Sequence, residues 1–303
     1  MRIALISPPW YPVPPRAYGG TEAIVSLLAD GLVERGHDVT LFASGDSQTS
    51  GKLEHIYLEA PSERIGECVW ELGHVLLPYE HVDEFEVMHD HSGPLALALL
   101  GTTSASVVHT VHGTLEGIVG DVYGRIARTM PRIGLTSLSK QQCRPAPRLP
   151  WIATVPNAIA LDRYPLSTAR REDFLLFLGR MCPEKGADRA IEVARAADRR
   201  LVIAAKCREP AEQRYFQECV QPHLGEGVDY VGEASFEQKI ELLHRACATL
   251  VPLAWEEPFG LVMIESAACG TPVVATRRGS VQRLSHTESV ESSFATIVRC
   301  RQL

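Results

Sequence analysis

The chain has 303 residues, 45% hydrophobic and 22% charged, with 30 Lys and Arg against 37 Asp and Glu and a formal charge of −7. That length holds two α/β domains of roughly 150 residues with well-buried cores. The acidic balance argues against nucleic acid as the principal partner, though not against a local basic pocket for a small phosphate compound.

The opening Met1–Ser7 is largely apolar, but Pro8-Pro9 ends the run well short of a secretory core. No stretch approaches the roughly 20 apolar residues that span a bilayer. These observations lead us to expect a cytoplasmic protein without a transmembrane segment. The eight cysteines include no CxxC pair and read as reduced, structural thiols.

In chain order, residues 2–7 read as a strand and 8–20 as a Pro- and Gly-rich loop. A helix follows, with Thr21 as its expected cap, Ile24, Leu27, Leu28 and Val33 on one face, and Gly36 as its stop. Residues 38–43 return as a strand and complete a βαβ unit. Short strand-like runs come at 85–91, 106–111 and 134–139, while 46–84 and 115–133 carry no clear period. Beyond 165 the alternation sharpens. Strands are expected at 174–179, 200–205, 228–232, 248–253 and 272–275, with helices at 187–197, 213–223, 235–246 and 260–268. Ser235 and Gln238 have capping-box spacing at the head of the third of these helices. Short apolar strands alternating with helices imply parallel sheets covered on both faces. The chain therefore divides into two Rossmann-like halves joined near 156–165. In such sheets ligands gather at the carboxyl ends of the strands, where helix N-termini point N–H groups at anions.

Four segments fall at such ends. Gly19-Gly20 precede the first helix and would let a backbone approach a phosphate, although the loop is neither GxGxxG nor a P-loop. Arg180 and Lys185 both follow the strand at 174–179, where their charges could converge on a diphosphate. Glu257 lies just before a helix and Glu265 inside its apolar run. A carboxylate among Val, Met and Ile is costly to bury without partners, and sugar or ribose hydroxyls could supply them. His89, His91, His109 and His112 invite a metal, but they lie at two different strand ends with no helical i, i+4 pair. His112, beside Gly113, fits better as a polar active-site group. Each segment also has a structural reading, as a turn, a solvated surface or a satisfied core residue.

Together these segments resemble the retaining family-4 glycosyltransferases, also called glycosyl transferases group 1. Glu257 and Glu265 are separated by seven residues, as in the family's E-x7-E signature. Gly179-Arg180 with Lys185-Gly186 is similar to its GR…KG phosphate motif. Residues 155–159 resemble its V-P-N-G-V segment with Ala158 in place of glycine, and 266–275 continue the match. The resemblance covers roughly residues 1–281. It implies an α/β, GT-B fold, with two Rossmann-like domains facing across a cleft: an acceptor-side domain at 1–165 and a donor-binding domain at 166–281.

The resemblance also implies roles. Arg180 and Lys185 would neutralise the diphosphate of a UDP-, GDP- or ADP-sugar, Glu257 would bind sugar hydroxyls and Glu265 the ribose. The amides of Phe259, Gly260, Leu261 and Val262 would add phosphate contacts. Gly19 and Gly20 would close over the phosphates, and His112 would touch the sugar near its reacting carbon. No metal or other cofactor is implied. A nucleotide-sugar-binding protein with little turnover and, less favoured, a nucleotide-sugar 2-epimerase are the competing readings. After Val281 the sequence departs from the family: 282–303 is polar and Ser-rich, without a helical stripe. We expect an aberrant, poorly packed tail, an incomplete C-terminal domain and weak activity.

Overall fold

The computed structural model describes residues 1–100, 102–130, 132–281 and, as backbone, 296–298. The tail of 282–303 lies outside the described residues apart from those three. The chain forms two compact units, Met1–Ala158 and Ile159–Leu303.

The first unit runs β1 (Arg2–Ile6), α1 (Gly20–Glu34), β2 (Asp38–Phe42), β3 (Lys52–Glu54), α2 (Cys68–Glu80), β4 (Val87–Asp90), α3 (Pro94–Leu100), β5 (Ser106–Thr110), α4 (Ile118–Thr129), β6 (Ile133–Ser137) and β7 (Trp151–Thr154). Its seven strands lie in the order β3-β2-β1-β4-β5-β6-β7 and pair in parallel. β1 is buried from Ile3 to Ile6 because successive side chains serve opposite faces. Leu5 joins Val25 and Ala29 of α1, whereas Ala4 and Ile6 join Leu97, Leu100 and Leu135. A continuous apolar run is what a strand covered on both faces requires.

Thr21 does not cap α1. The helix begins one residue earlier and its N-cap is Gly19, with no side-chain cap. Instead the Gly19 carbonyl accepts from the Ala23 N–H at 3.0 Å, so the glycine turn itself starts the helix. The two segments without a clear period contain β3, α2 and α4. Pro78 lies inside α2, and Gly120 and Gly124 lie inside α4, where they lower the local helix propensity.

The second unit runs β8 (Phe174–Arg180), α5 (Ala187–Ala196), β9 (Arg200–Lys206), α6 (Pro210–Tyr215), β10 (Val228–Tyr230), α7 (Phe236–Arg245), β11 (Ala248–Val251), α8 (Leu261–Ala268), β12 (Val273–Ala275) and β13 (Thr296–Val298). The sheet order is β10-β9-β8-β11-β12-β13. The first five strands are parallel, and β13 is antiparallel to β12. Three residues of the segment read as an aberrant tail thus extend the sheet. β8 again divides its side chains, Leu175 and Phe177 to one core, Phe174 and Leu176 to the other.

α6 starts three residues before the sequence suggested. Pro210 is suited to a helix's first turn, and the Glu209 N–H donates to the Glu212 carboxylate at 3.3 Å. A π turn at Phe216–Val220 and a 3₁₀ turn at Gln221–His223 follow it. α7 carries the expected capping box: Gln238 N–H donates to Ser235 Oγ at 3.2 Å and Ser235 N–H to Gln238 Oε1 at 2.9 Å. Arg171 straps two helix ends together. Its guanidinium donates to the carbonyls of Leu243 (2.8 Å), His244 (3.1 Å), Ala246 (3.2 Å) and Cys269 (3.1 Å).

Candidate active site

Both sheets reverse direction of growth beside their first strand, between β1 and β4 and between β8 and β11. At such a point the loops leaving the two strands part in opposite directions and open a crevice. The candidate residues cluster there in each unit.

In the second unit, β8 ends at Arg180, and the following turn carries Lys185. β11 feeds the segment Trp255–Gly260 that leads into α8. The Lys185 ammonium donates a short, charged hydrogen bond to the Glu257 carboxylate. Trp255 Nε1 donates to the same Glu257 oxygen at 3.1 Å, and Lys185 Nζ stands 5.1 Å from the Trp255 ring centre. A cation over an indole face adds electrostatic attraction to the ion pair.

The chain beyond β12 holds this segment from behind. Ser280 N–H donates to the Glu257 carbonyl at 2.8 Å, Ser280 Oγ to the Phe259 carbonyl at 2.6 Å, and Gly279 N–H to the Glu256 carboxylate at 2.7 Å. Gly279 has φ 58°, and a Cβ there would overlap the backbone of Glu257; only glycine fits. Gly260 caps α8, so the amides of Leu261 and Val262 lie in that helix's first turn.

Arg180 and Lys185 do not meet on one point. Arg180 Nε is 3.8 Å from Glu212 Oε1 of α6, while Lys185 is held by Glu257. Glu212 in turn accepts from Lys206 Nζ at 2.9 and 3.0 Å, and Lys206, 2% exposed, also donates to Glu209. Burial, reinforced by the Glu209 contact, raises the Glu212 carboxyl above its ordinary value. Burial also acts against Glu209, but its bonds to Glu212 and Lys206 hold that carboxyl low.

Glu265 is buried, yet not in want of a ligand. Its Oε1 accepts from the Tyr164 hydroxyl at 2.7 Å and from Lys239 Nζ at 2.7 Å. Its Oε1 is satisfied from within the protein, by partners 101 and 26 residues away in sequence. Neither gave a local signal, since a tyrosine before β8 and a lysine on an amphipathic helix look ordinary. Trp255 could have been found from its adjacency to Glu256-Glu257.

In the first unit, the loop after β1 ends at Gly19 with φ 148°. A Cβ there would press on Pro15 and on Glu22 Oε2, so the loop's own packing demands the glycine. Glu22 is buried in the first turn of α1, and burial raises its carboxyl to about 7, partly offset by its own backbone N–H.

The histidines at the ends of β4 and β5 form two separate hydrogen-bonded sets. His109 Nδ1 lies 2.5 Å from Asp90 Oδ2 and its Nε2 2.7 Å from the Tyr123 hydroxyl of α4. Ser92 donates twice to Asp90 Oδ1, from N at 2.9 Å and Oγ at 2.5 Å. Burial would raise Asp90, but the His109 charge and these bonds hold it below its ordinary value. In the second set His91 Nδ1 is 2.8 Å from His112 Nε2. Burial, with the neighbouring imidazoles, lowers His91 well below 6.5 and His112 to about 3. His89 instead contacts Thr110 Oγ1 at 2.9 Å. Among the described residues no group of three His, Cys, Asp or Glu side chains is disposed to hold a metal ion. His91, His109, His112 and Tyr123 line a pocket of about 160 Å³ with residues of the Ser92–Pro94 and Gly113–Thr114 turns.

Two α/β units of the same strand order, each with polar groups gathered where that order reverses, define a protein of the GT-B fold class. A model described as Glycosyl transferases group 1 matches residues 162–287, and one described as Glycosyltransferase Family 4 matches 18–163. The chain belongs to the family-4 glycosyltransferases. It is 27% identical to a glycogen synthase of Mycobacterium tuberculosis over 334 aligned positions, covering 93% of this chain and 79% of that protein. Among solved structures, AviGT4, a glycosyltransferase involved in avilamycin A biosynthesis, is 28% identical with TM-score 0.68 over 93% of this chain and 80% of its own. Anabaena HepE, solved in complex with UDP-glucose, shares the fold at 17% identity, with TM-score 0.69 over 95% of this chain and 83% of its own. Among the described residues no helix is long and apolar enough to cross a membrane.

Proposed function

We propose that this glycosyltransferase moves a sugar from a nucleoside diphosphate sugar to a hydroxyl acceptor with retention at the anomeric carbon. The observation that carries the reading is the Lys185–Glu257–Trp255 cluster at the β8/β11 crevice, directly before the first turn of α8. A lysine, a carboxylate and free-standing helix amides are what a diphosphate joined to a polyhydroxylated ring needs.

In this reading the donor exchanges partners with the protein. The diphosphate takes Lys185 and draws Arg180 from Glu212, and Glu257 turns its acceptor oxygens to sugar hydroxyls. Glu265 keeps Tyr164 and Lys239 on Oε1 and offers Oε2 to the ribose. The bond from the anomeric carbon to the phosphate oxygen breaks as the acceptor oxygen attacks the same face. The acceptor proton passes to the departing phosphate oxygen. Arg180, Lys185 and the amides of Phe259, Gly260, Leu261 and Val262 stabilise the charge developing on that phosphate. Gly19, Gly20 and His112 serve from the first unit, His112 beside the sugar. HepE's UDP-glucose complex is the precedent for the donor class.

The test is a thermal-shift panel of UDP-, GDP- and ADP-glucose against the full chain, followed by product analysis with the one that binds. Binding at a hundredfold excess over Kd contributes about 2.7 kcal/mol of stability, so a clear rise in melting temperature is expected for one base. No rise with any of the three would overturn the donor reading. A rise without transfer or donor hydrolysis would favour a binding protein.

A further inference from the structure

The pocket of the first unit contains an arrangement that the reading above does not use. His91 is 4% exposed, its Nδ1 faces His112 Nε2 at 2.8 Å, and its own Nε2 has no hydrogen-bond partner among the described residues. The two rings stand 5.1 Å apart, inclined by 34°. His91 is also flanked by the His89 ring at 4.3 Å.

A neutral imidazole carries one ring hydrogen, so one nitrogen donates and the other accepts. Burial keeps both rings neutral. A single hydrogen fits between the two facing nitrogens, which makes the two outer nitrogens opposite in kind. If His91 Nε2 bears a hydrogen, His91 Nδ1 accepts from His112 Nε2 and His112 Nδ1 is an acceptor. If His91 Nε2 is bare, His112 Nδ1 is a donor.

We propose that His91 is a positioning residue for His112: its Nδ1 fixes the plane and tautomer of the His112 ring, and thereby whether the outer nitrogen of His112 donates or accepts. Through His112 the pair thus offers a ligand hydroxyl one kind of hydrogen bond, set by His91. This rests on the reading of His112 as a sugar-facing group. His109 and Tyr123 share the pocket wall, but among the described residues the Asp90–His109–Tyr123 set makes no hydrogen bond to the pair, and so serves as an internal control.

The experiment uses the full chain labelled with ¹⁵N at histidine, without ligand, and reads the ring nitrogens of His112 by long-range proton–nitrogen NMR. Wild type is compared with His91→Asn, whose amide replaces Nδ1, His91→Gln, whose amide replaces Nε2, and His91→Phe. A single His112 tautomer is expected in wild type and His91→Asn, and a mixture in His91→Gln and His91→Phe, with the low-field proton of the Asp90–His109 bond unchanged in all. An unchanged single tautomer in His91→Phe would overturn the proposal. Should that variant fail to fold, a single tautomer in His91→Gln would do the same. With whichever of UDP-, GDP- and ADP-glucose the wild type uses as donor, kcat should fall about tenfold in His91→Phe at constant KM, and recover to within about twofold in His91→Asn. A wild-type protein inert toward UDP-, GDP- and ADP-glucose alike would count against the donor reading, and the tautomer measurement would then decide the role of His91 alone.

Discussion

Lys185 and Glu257 are 72 residues apart, and neither makes a site by itself. The fold brings them together, and their variants should lose different parts of the ligand. Lys185→Ala and Arg180→Ala should each weaken binding of a nucleoside diphosphate by about tenfold or more, since a charged hydrogen bond is worth roughly 1.5–3 kcal/mol. Isothermal titration with UDP, GDP and ADP measures this, and undiminished affinity in both variants would remove the diphosphate from their roles. Glu257→Gln keeps the shape but weakens hydrogen bonds to hydroxyls. It should cost affinity for the nucleotide sugar more than for the free nucleotide. Glu265→Gln should weaken both alike, because a ribose is present in either ligand. Equal losses at Glu257 would move that residue away from the sugar.

At the scale of elements, most strands and most helices of the second unit were legible because their apolar runs alternate cleanly with polar segments. The Ser235–Gln238 box was readable from four residues because both of its bonds are local. α2 and α4 were not, since Pro78 in α2 and Gly120 and Gly124 in α4 are poor helix formers. Arg171 was equally silent, one of two adjacent arginines in the polar run Ala169-Arg170-Arg171-Glu172. Its guanidinium satisfies carbonyls at the ends of α7 and α8, groups that the helices cannot satisfy internally. Arg171→Ala should therefore lower stability by about 1.5–3 kcal/mol, read as a drop in the urea midpoint. Arg171→Lys, with a compact ammonium in place of a planar fork, should restore only part of it. A midpoint unchanged in Arg171→Ala would show that the strap contributes nothing.

Over the whole molecule, buried ionisable groups set a pH profile. Burial lowers His74 to about 4 and His89 to about 4, from an ordinary value of 6.5. Unfolding lets them take up protons between those values, so their contribution is complete above pH 6.5 and is lost as pH falls toward 4. Glu22 acts in the opposite sense. Its carboxyl, raised by burial from 4.5 to about 7, contributes fully below pH 4.5 and loses that contribution as pH rises through 7. Glu22→Gln should accordingly match wild type in denaturant midpoint near pH 5 and exceed it at pH 8. A gain already complete at pH 5 would mean that Glu22 is ionised in the folded protein.

The sequence alone determined the α/β class, the parallel sheets, most strand positions and the segments around Gly19, Arg180, Lys185, Glu257 and Glu265. Each of these is written in short-range pattern: apolar runs, turn residues before helices, charges at strand ends. Tertiary structure decided which charge meets which. Glu265 is satisfied by Tyr164 and Lys239, Arg180 leans on Glu212 rather than converging with Lys185, and four histidines that suggested a metal divide into an Asp90–His109–Tyr123 chain, a His91–His112 pair and a lone His89 bond to Thr110. The physical reason is that hydrogen bonds and ion pairs act over a few ångströms. Spacing along the chain says which residues can reach a crevice. Only the packing of α6, α7 and α8 around β8, and of α4 beside β5, sets the distances across it.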